Sequence, residues 1–219
     1  MDRSRDNDQP IELDGRKIRL RDWHEKDLAA LRSQLDPARP WHDTNGPYFG
    51  RITPEEADAM TARMAELAAK DPASLPHPRD SLAIAELTTD HLLGQTSWYW
   101  ECEQTDWRRL GLVIYDEAYW GQGYGTDALR LWTSYLFAAT DTLRLDFATY
   151  SGNPAMIAVG RRLGFVEEAR FRQARRWPGG VHDSVVLGVL RDEWQHQHPT
   201  QPATADPQQT GRPAGRGHR

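Results

Sequence analysis

Residues Lys17 to Leu20 alternate polar and apolar after an Asp14-Gly15 turn, and Leu28, Leu31 and Leu35 then recur at helical spacing within Asp22 to Leu35. The order opens with a strand and then a helix. Thr53-Pro54-Glu55-Glu56 is a helix start, with a capping hydroxyl, proline at the first helical position and an acid three residues on. Met60, Met64 and Leu67 carry that helix to the neighbourhood of Lys70. The proline-rich stretch Pro72 to Asp80 reads as a surface loop, followed by a strand over Leu82 to Leu87, a turn over Thr88 to His91 and a second strand from Leu92 to Glu103. Trp98, Tyr99 and Trp100 follow one another in that second strand, where successive side chains point to opposite faces, so at least one of them lines a surface or a pocket.

A third extended run covers Leu110 to Tyr115. Leu129, Leu131, Trp132, Leu136 and Phe137 then mark Thr126 to Phe137 as a partly buried helix, and Leu143 to Thr149 is another strand. Asn153-Pro154 opens a short helix that ends near Leu163, where Gly164 can take the left-handed conformation. Val166 to Ala174 and Val185 to Leu190 form a closing hairpin across the Trp177-Pro178-Gly179-Gly180 turn. An antiparallel meander followed by strand-helix units argues an α+β fold with a mixed sheet.

The 219 residues suit one domain, expected over 11–194. Residues 1–10 read as a flexible start, and beyond Trp194 the chain holds almost no large apolar side chain, so 195–219 reads as a disordered tail. Cys102 is the single cysteine, which excludes an intrachain disulfide and a cysteine-based metal site and fits a reducing compartment. With no charged leader and no apolar stretch long enough for a bilayer, a cytoplasmic protein with no membrane partner is expected. A net charge of −5 gives no footprint for nucleic acid and suits a cationic or amine substrate better than a polyanion.

The densest chemical signal is Tyr119-Trp120-Gly121-Gln122-Gly123-Tyr124-Gly125-Thr126, glycines at alternate positions between a strand and a helix. Glycine lets successive backbone N–H groups turn toward one anion, and the helix start adds its unpaired donors and positive dipole end. The ligand expected is a diphosphate. Neither a P-loop Lys nor the dinucleotide-fold interval is present.

From about Lys17 to Trp194 the chain resembles the GNAT superfamily of N-acetyltransferases, and within it the branch similar to ribosomal-protein N-terminal acetyltransferases. Gln122-Gly123-Tyr124-Gly125-Thr126 matches the family's pyrophosphate loop, Asn153 followed by Arg161-Arg162-Leu163-Gly164-Phe165 matches its Asn-helix-Leu-Gly-Phe segment, and Val189-Leu190-Arg191-Asp192-Glu193-Trp194 is similar to the branch's C-terminal end. The resemblance implies acetyl-CoA, its pyrophosphate on the amides of Gln122, Gly123, Tyr124, Gly125 and Thr126, and its arm between the strand containing Leu112-Val113-Ile114 and the strand Leu143 to Thr149. The N–H of Val113 or Ile114 would polarise the thioester carbonyl. Asn153 would bond the arm, be a plain helix cap, or do both. The acceptor would be a protein N-terminal amine or a small amine, shaped by the loop Trp41 to Gly50 and the segment before Leu82. A homodimer is plausible on the same ground.

The chain departs from that pattern in several places. Trp120 stands where many relatives have Arg or Gln, Gly160 where many have a tyrosine acting as general acid, Met156 where the branch tends to have serine, and Ala148 where some use a glutamate base. Asp146 and Tyr150 are the same-face neighbours of Ala148 and are candidates for the base, as is Glu101 beside the aromatics. Asp106 and Trp107 can form a substrate wall. His182-Asp183 reads as turn chemistry, and no metal site is expected. The rival to an acyltransferase is a catalytically silent CoA-binding sensor or regulatory module, for which Gly160 and Met156 would be the marks.

Overall fold

The Thr53 hydroxyl accepts from the Glu56 amide at 3.2 Å while the Glu56 carboxylate accepts from the Thr53 amide at 2.8 Å, so the helix start read from the sequence is a closed capping box. It belongs to a computed structural model that describes residues 9–199. The strands are β1 (Glu12–Asp14), β2 (Ile18–Arg21), β3 (Ser81–Glu86), β4 (Leu92–Cys102), β5 (Trp107–Ile114), β6 (Arg144–Tyr150), β7 (Val166–Trp177) and β8 (Gly180–Leu190). The helices are α1 (Asp27–Gln34), α2 (Pro54–Ala68), α3 (Tyr124–Ala139), α4 (Pro154–Arg162) and α5 (Arg191–Gln197). The loose start lies mostly, and the tail largely, outside the described residues; α5 continues past Trp194, where the tail was expected to begin.

The helix expected from Asp22 begins only at Asp27. Side chains decide this: Asp22 accepts from Arg79 Nε at 2.9 Å and from the Ile11 amide at 3.0 Å, while Asp27 accepts from Arg21 and from the His24 amide at 2.9 Å. These bonds hold the intervening residues in a linker conformation in preference to the helix ladder.

The strands form one sheet in the order β1-β2-β3-β4-β5-β6-β8-β7, antiparallel throughout except where β6 lies parallel to β5. The crossover through α3 makes that contact parallel. Two apolar clusters lie on opposite faces. One packs Leu129, Trp132 and Leu136 of α3 and Ile157 of α4 against Leu82, Ile84, Leu110, Phe147 and Leu187. The other packs Leu31 of α1 and Ala57 and Met64 of α2, with Trp23 and Trp41, against Ala83, Leu92 and Tyr115. Helices thus cover both faces of a mostly antiparallel sheet, the α+β class expected.

Candidate active site

β5 and β6 pair only at Arg108 with Leu145 and Arg109 with Asp146, and beyond those positions the two strands diverge toward their C-terminal ends. The Tyr115 amide donates to Leu93 O at 2.9 Å. Stepping back along the antiparallel register, Val113 opposite Gln95 and Gly111 opposite Ser97 are then hydrogen-bonded pairs, and Leu112 and Ile114 direct their backbone groups the other way, into the gap beside β6. Of the two amides singled out in the sequence, Val113 serves β4 and Ile114 faces the gap. Gly94 permits this close packing, since a Cβ there would lie 2.0 Å from Val113 O. Ile114 O accepts from the indole N–H of Trp120 at 2.9 Å, so the residue at the departed Arg or Gln position anchors the end of β5.

At the mouth of the gap Gly121 and Gly123 have φ of 70° and 91°, the left-handed region, and α3 starts directly after Gly123. A Cβ on either glycine would meet nothing within 4 Å, so the loop is uncrowded ahead of the first amides of α3. Backbone donors at a helix start after two left-handed glycines fit a diphosphate.

Asn153 caps α4, its Oδ1 accepting from the Met156 amide at 3.0 Å, and its Nδ2 donates to Thr44 O at 3.0 Å. The capping alternative therefore holds, and the side chain also ties α4 to the segment between α1 and α2. Gly160 is buried against the sheet: a Cβ would lie 2.6 Å from Phe147 Cζ and 3.1 Å from Leu187 Cδ2. A tyrosine cannot occupy this position around the present Phe147. Met156 packs against the same cluster.

The three base candidates are all engaged. Asp146 is fully buried and accepts from Trp107 Nε1 at 2.7 Å, Arg109 Nε at 2.8 Å and Arg144 at 3.3 Å. Glu101 is ion-paired to the same Arg109 at 2.6 Å. Tyr150 donates its hydroxyl to Asp43 O at 2.8 Å, and burial pushes the phenol above the usual tyrosine range. The structure brings Asp146 and Glu101 together through Arg109 and sets Tyr150 apart. Asp106 and Trp107 line a surface cavity together with Thr105, Leu143 and Arg144, and the Trp107 ring lies beside the guanidinium groups of Arg109 and Arg144 at 5.6 and 5.3 Å. Ala148 is exposed on the face shared with Asp146 and Tyr150.

Sequence reasoning missed the grouping around Tyr150. Tyr48, from the segment joining α1 and α2, reaches Tyr150 at 5.9 Å and Trp177 of the closing hairpin at 5.8 Å, while His182 stacks on Trp177 at 4.8 Å. Arg175 lies over Tyr48 at 4.3 Å. These contacts bridge the early segment and the hairpin above the C-terminal end of β6. The signal available was Pro47-Tyr48-Phe49 after a glycine, too local to reveal a partner so far along the chain. Among the described residues no group of three or more His, Cys, Asp or Glu is placed to hold a metal. No helix among them is long and apolar enough to cross a membrane.

A parallel strand pair that opens onto a glycine-lined helix start, within a mixed sheet covered on both faces, is the arrangement of an acetyltransferase-type α+β fold. The model of the acetyltransferase (GNAT) domain matches residues 17–166, and the chain belongs to the GNAT acetyltransferase family. YdaF of Bacillus subtilis (strain 168), named as a candidate ribosomal N-acetyltransferase, is 33% identical over 75 residues, 34% of this chain and 41% of its own length. The chain thus spans less than half the length of that relative. Among solved structures, a GNAT-family acetyltransferase from Bacillus anthracis superimposes with a TM-score of 0.65 at 14% identity, covering 84% of this chain and all of the other. RimL, a ribosomal-protein alpha-N-acetyltransferase, superimposes with a TM-score of 0.61 at 17% identity over 83% of this chain and 95% of its own. At those identities the superpositions speak for the fold.

Proposed function

We propose that the protein transfers the acetyl group of acetyl-CoA to the N-terminal α-amine of a peptide or protein, by direct attack with both substrates bound. The observation that carries the transfer is the divergence of β5 from β6 with the uncrowded glycine loop at its mouth. Acetyl-CoA supplies an activated thioester. The amides of Gln122, Gly123, Tyr124, Gly125 and Thr126 hold its diphosphate, and the gap-facing Ile114 amide stabilises the developing oxyanion, with Val113 fixing that amide through its bonds to β4. Asn153 closes the site from the α4 side.

The engaged acids support that acceptor class. Asp146 and Glu101 share Arg109, and Tyr150 is a donor, so none of the three is free to take a proton directly. An α-amine, with a pKa of about 7.7–8.0, presents a substantial neutral fraction near pH 7.5, whereas an alkyl amine near 10.4 presents roughly one part in a thousand. An acceptor that is already a free base needs only water to carry its proton away. The names of YdaF and RimL support a ribosomal-protein terminus as that acceptor. The departed thiolate needs no protein acid, because a thiol near pKa 8.5 leaves readily as the anion. The packing of Gly160 on Phe147 supports a structural reason for the glycine.

The test is CoA-thiol release from acetyl-CoA by the purified protein with N-terminal peptides, polyamines and aminoglycosides, with Gly123→Glu as the blocked-cradle control. Release with peptides, lost in the control and rising with pH as the peptide amine deprotonates, is the expected result. Release only with polyamines or aminoglycosides would overturn the acceptor assignment, and tight acetyl-CoA binding without release on any amine would favour the silent module.

A further inference from the structure

The closing hairpin of β7 and β8 is basic in a chain whose net charge is −5, with Arg170, Arg172, Arg175 and Arg176 close together on β7. Arg170 is spent on Glu167 and Asp183. The other acids of this region are taken too, Glu168 by Arg144 and Asp43 by Arg51. Among the described residues Arg175 pairs with none of these acids. Its guanidinium lies 4.3 Å from the ring centre of Tyr48 and 5.9 Å from that of Phe49, and its buried Nε has no hydrogen-bond partner. A guanidinium held over aromatic rings with its donors unspent is preorganised for a carboxylate, which it can take bidentately.

The backbone aims this side chain. Between Phe171 and Arg175 the register with β8 shifts, Gln173 takes a φ of 58°, and its amide donates to Asp183 Oδ1 at 3.0 Å. A non-glycine residue in the left-handed region carries a local cost, and an irregularity of this kind in an edge strand re-aims the side chains beyond it. Arg175 and Trp177, two residues apart, both turn to Tyr48, whose ring also meets Tyr150.

That face of the sheet is the one open to an acceptor. Leu145 and Phe147 of β6 face α3 and α4, the side on which the glycine loop lies, whereas Ala148 is exposed on the opposite face with Tyr150 next along it. An amine reaching the gap beside β6 therefore arrives over Ala148. Arg175 pairs with His182, two residues beyond Ser184, which is the partner of Tyr150. About four residues along at about 3.3 Å, and two strands across at about 4.8 Å, put Arg175 roughly 16 Å from Ala148 between Cα atoms. The arginine and an acidic side chain of the acceptor close part of that distance. An extended peptide covers about 3.3–3.6 Å per residue, which brings its third or fourth residue to the guanidinium.

Resting on the peptide-acceptor reading above, we infer that Arg175 is a specificity-determining residue that binds a carboxylate at the third or fourth residue of the acceptor. Acidic termini are thereby preferred over neutral and basic ones. Arg172 and Arg176 are exposed on the same strand and add charge of the same sign nearby, a contribution that salt screens.

Steady-state CoA-thiol release tests this with peptides that share their first two residues and carry Glu, Gln or Lys at the third and fourth. The unaltered protein, Arg175→Gln and Arg175→Glu are compared at low and high salt. The unaltered protein is expected to favour the Glu over the Gln peptide by about fivefold to tenfold in kcat/KM, carried by KM, with the preference shrinking at high salt. Arg175→Gln should bring that ratio to within about twofold, and Arg175→Glu should invert the order so that the Lys peptide is preferred. Parent kcat/KM values within about twofold across the three peptides would overturn the inference. So would variants that lose equally on every peptide and keep the parent's order, the mark of an arginine that only braces Tyr48. A parent that uses small amines but no peptide, or releases no CoA with any amine, would instead remove the acceptor reading and this inference with it.

Discussion

Replacing Asp146 separates a clasp from a general base. Its carboxylate is fully buried and joins β5 to β6 at the last position where the two strands pair, through Arg109 at 2.8 Å and Trp107 at 2.7 Å. Removing one member of a buried ion pair costs about 3–5 kcal/mol. Arg109 keeps Glu101 at 2.6 Å, which trims the penalty for Asp146→Ala to about 2–3 kcal/mol, and Asp146→Asn, which retains one carbonyl acceptor, should cost about 1–2 kcal/mol. For a chain of this size about 2–4 °C accompanies each kcal/mol, so the alanine variant should melt roughly 4–12 °C below the parent. Thermal unfolding followed by circular dichroism, paired with steady-state kinetics across pH, reads both quantities. A clasp predicts a lowered melting temperature, a loss in kcat/KM under about tenfold for Asp146→Asn and an unaltered pH profile. An asparagine variant that melts with the parent while losing about a hundredfold or more in kcat, the scale of a lost general base, would refute the reasoning.

Two further perturbations follow from the same coordinates. Gly160→Ala places a methyl 2.6 Å from Phe147 Cζ and should destabilise by about 1–3 kcal/mol, as overpacking does, without any gain in kcat; a denaturation midpoint equal to the parent's would mean that Phe147 yields freely. For acid stability, partial burial raises the Asp90 carboxyl but hydrogen bonds from Lys26 and Arg21 outweigh it and bring it to about 2; burial likewise opposes, and bonds from Arg130 and the Lys17 and Arg16 amides overcome, the effect on Asp127, which is also lowered. Both groups sit below their unfolded values, so their stabilisation is present above about pH 4 and is lost as the pH falls through their folded values. Urea midpoints recorded at falling pH should decline in that window, less steeply for Asp90→Asn; an identical decline in that variant would exclude Asp90 as a contributor.

How far the chain could be read from its residues depended on the range of each interaction. The capping box at Thr53, the glycine at the end of α4 and the Gly121 to Gly125 run are local, and each stands where the sequence puts it. The expected mixed sheet also holds, because hydrophobic periodicity and element order constrain it. The start of α1 was misplaced because Asp22 and Asp27 find partners far along the chain that periodicity does not see. β1 is a three-residue strand, too short for alternation to register. The base candidates show the same limit: alternation correctly placed Asp146, Ala148 and Tyr150 on one face, but nothing in their spacing told that Asp146 would be taken by Trp107 and Arg109 or that Tyr150 would donate to Asp43 O. Arg175 lay in plain view within a run of arginines, and only the fold brings it to Tyr48.

The sparse seam between β5 and β6 also bears on how the molecule deforms. Backbone pairing joins β1 to β5 as one plate and β6 to β8 as another, and the two plates share a short hinge at Arg108, Arg109, Leu145 and Asp146. Beyond that hinge their angle is set by helices and side chains, which comply more easily than a ladder of backbone bonds. An extended molecule lying between the plates would act as a strut, stiffening the sheet against opening, so a ligand bound in the proposed site would make the protein more rigid.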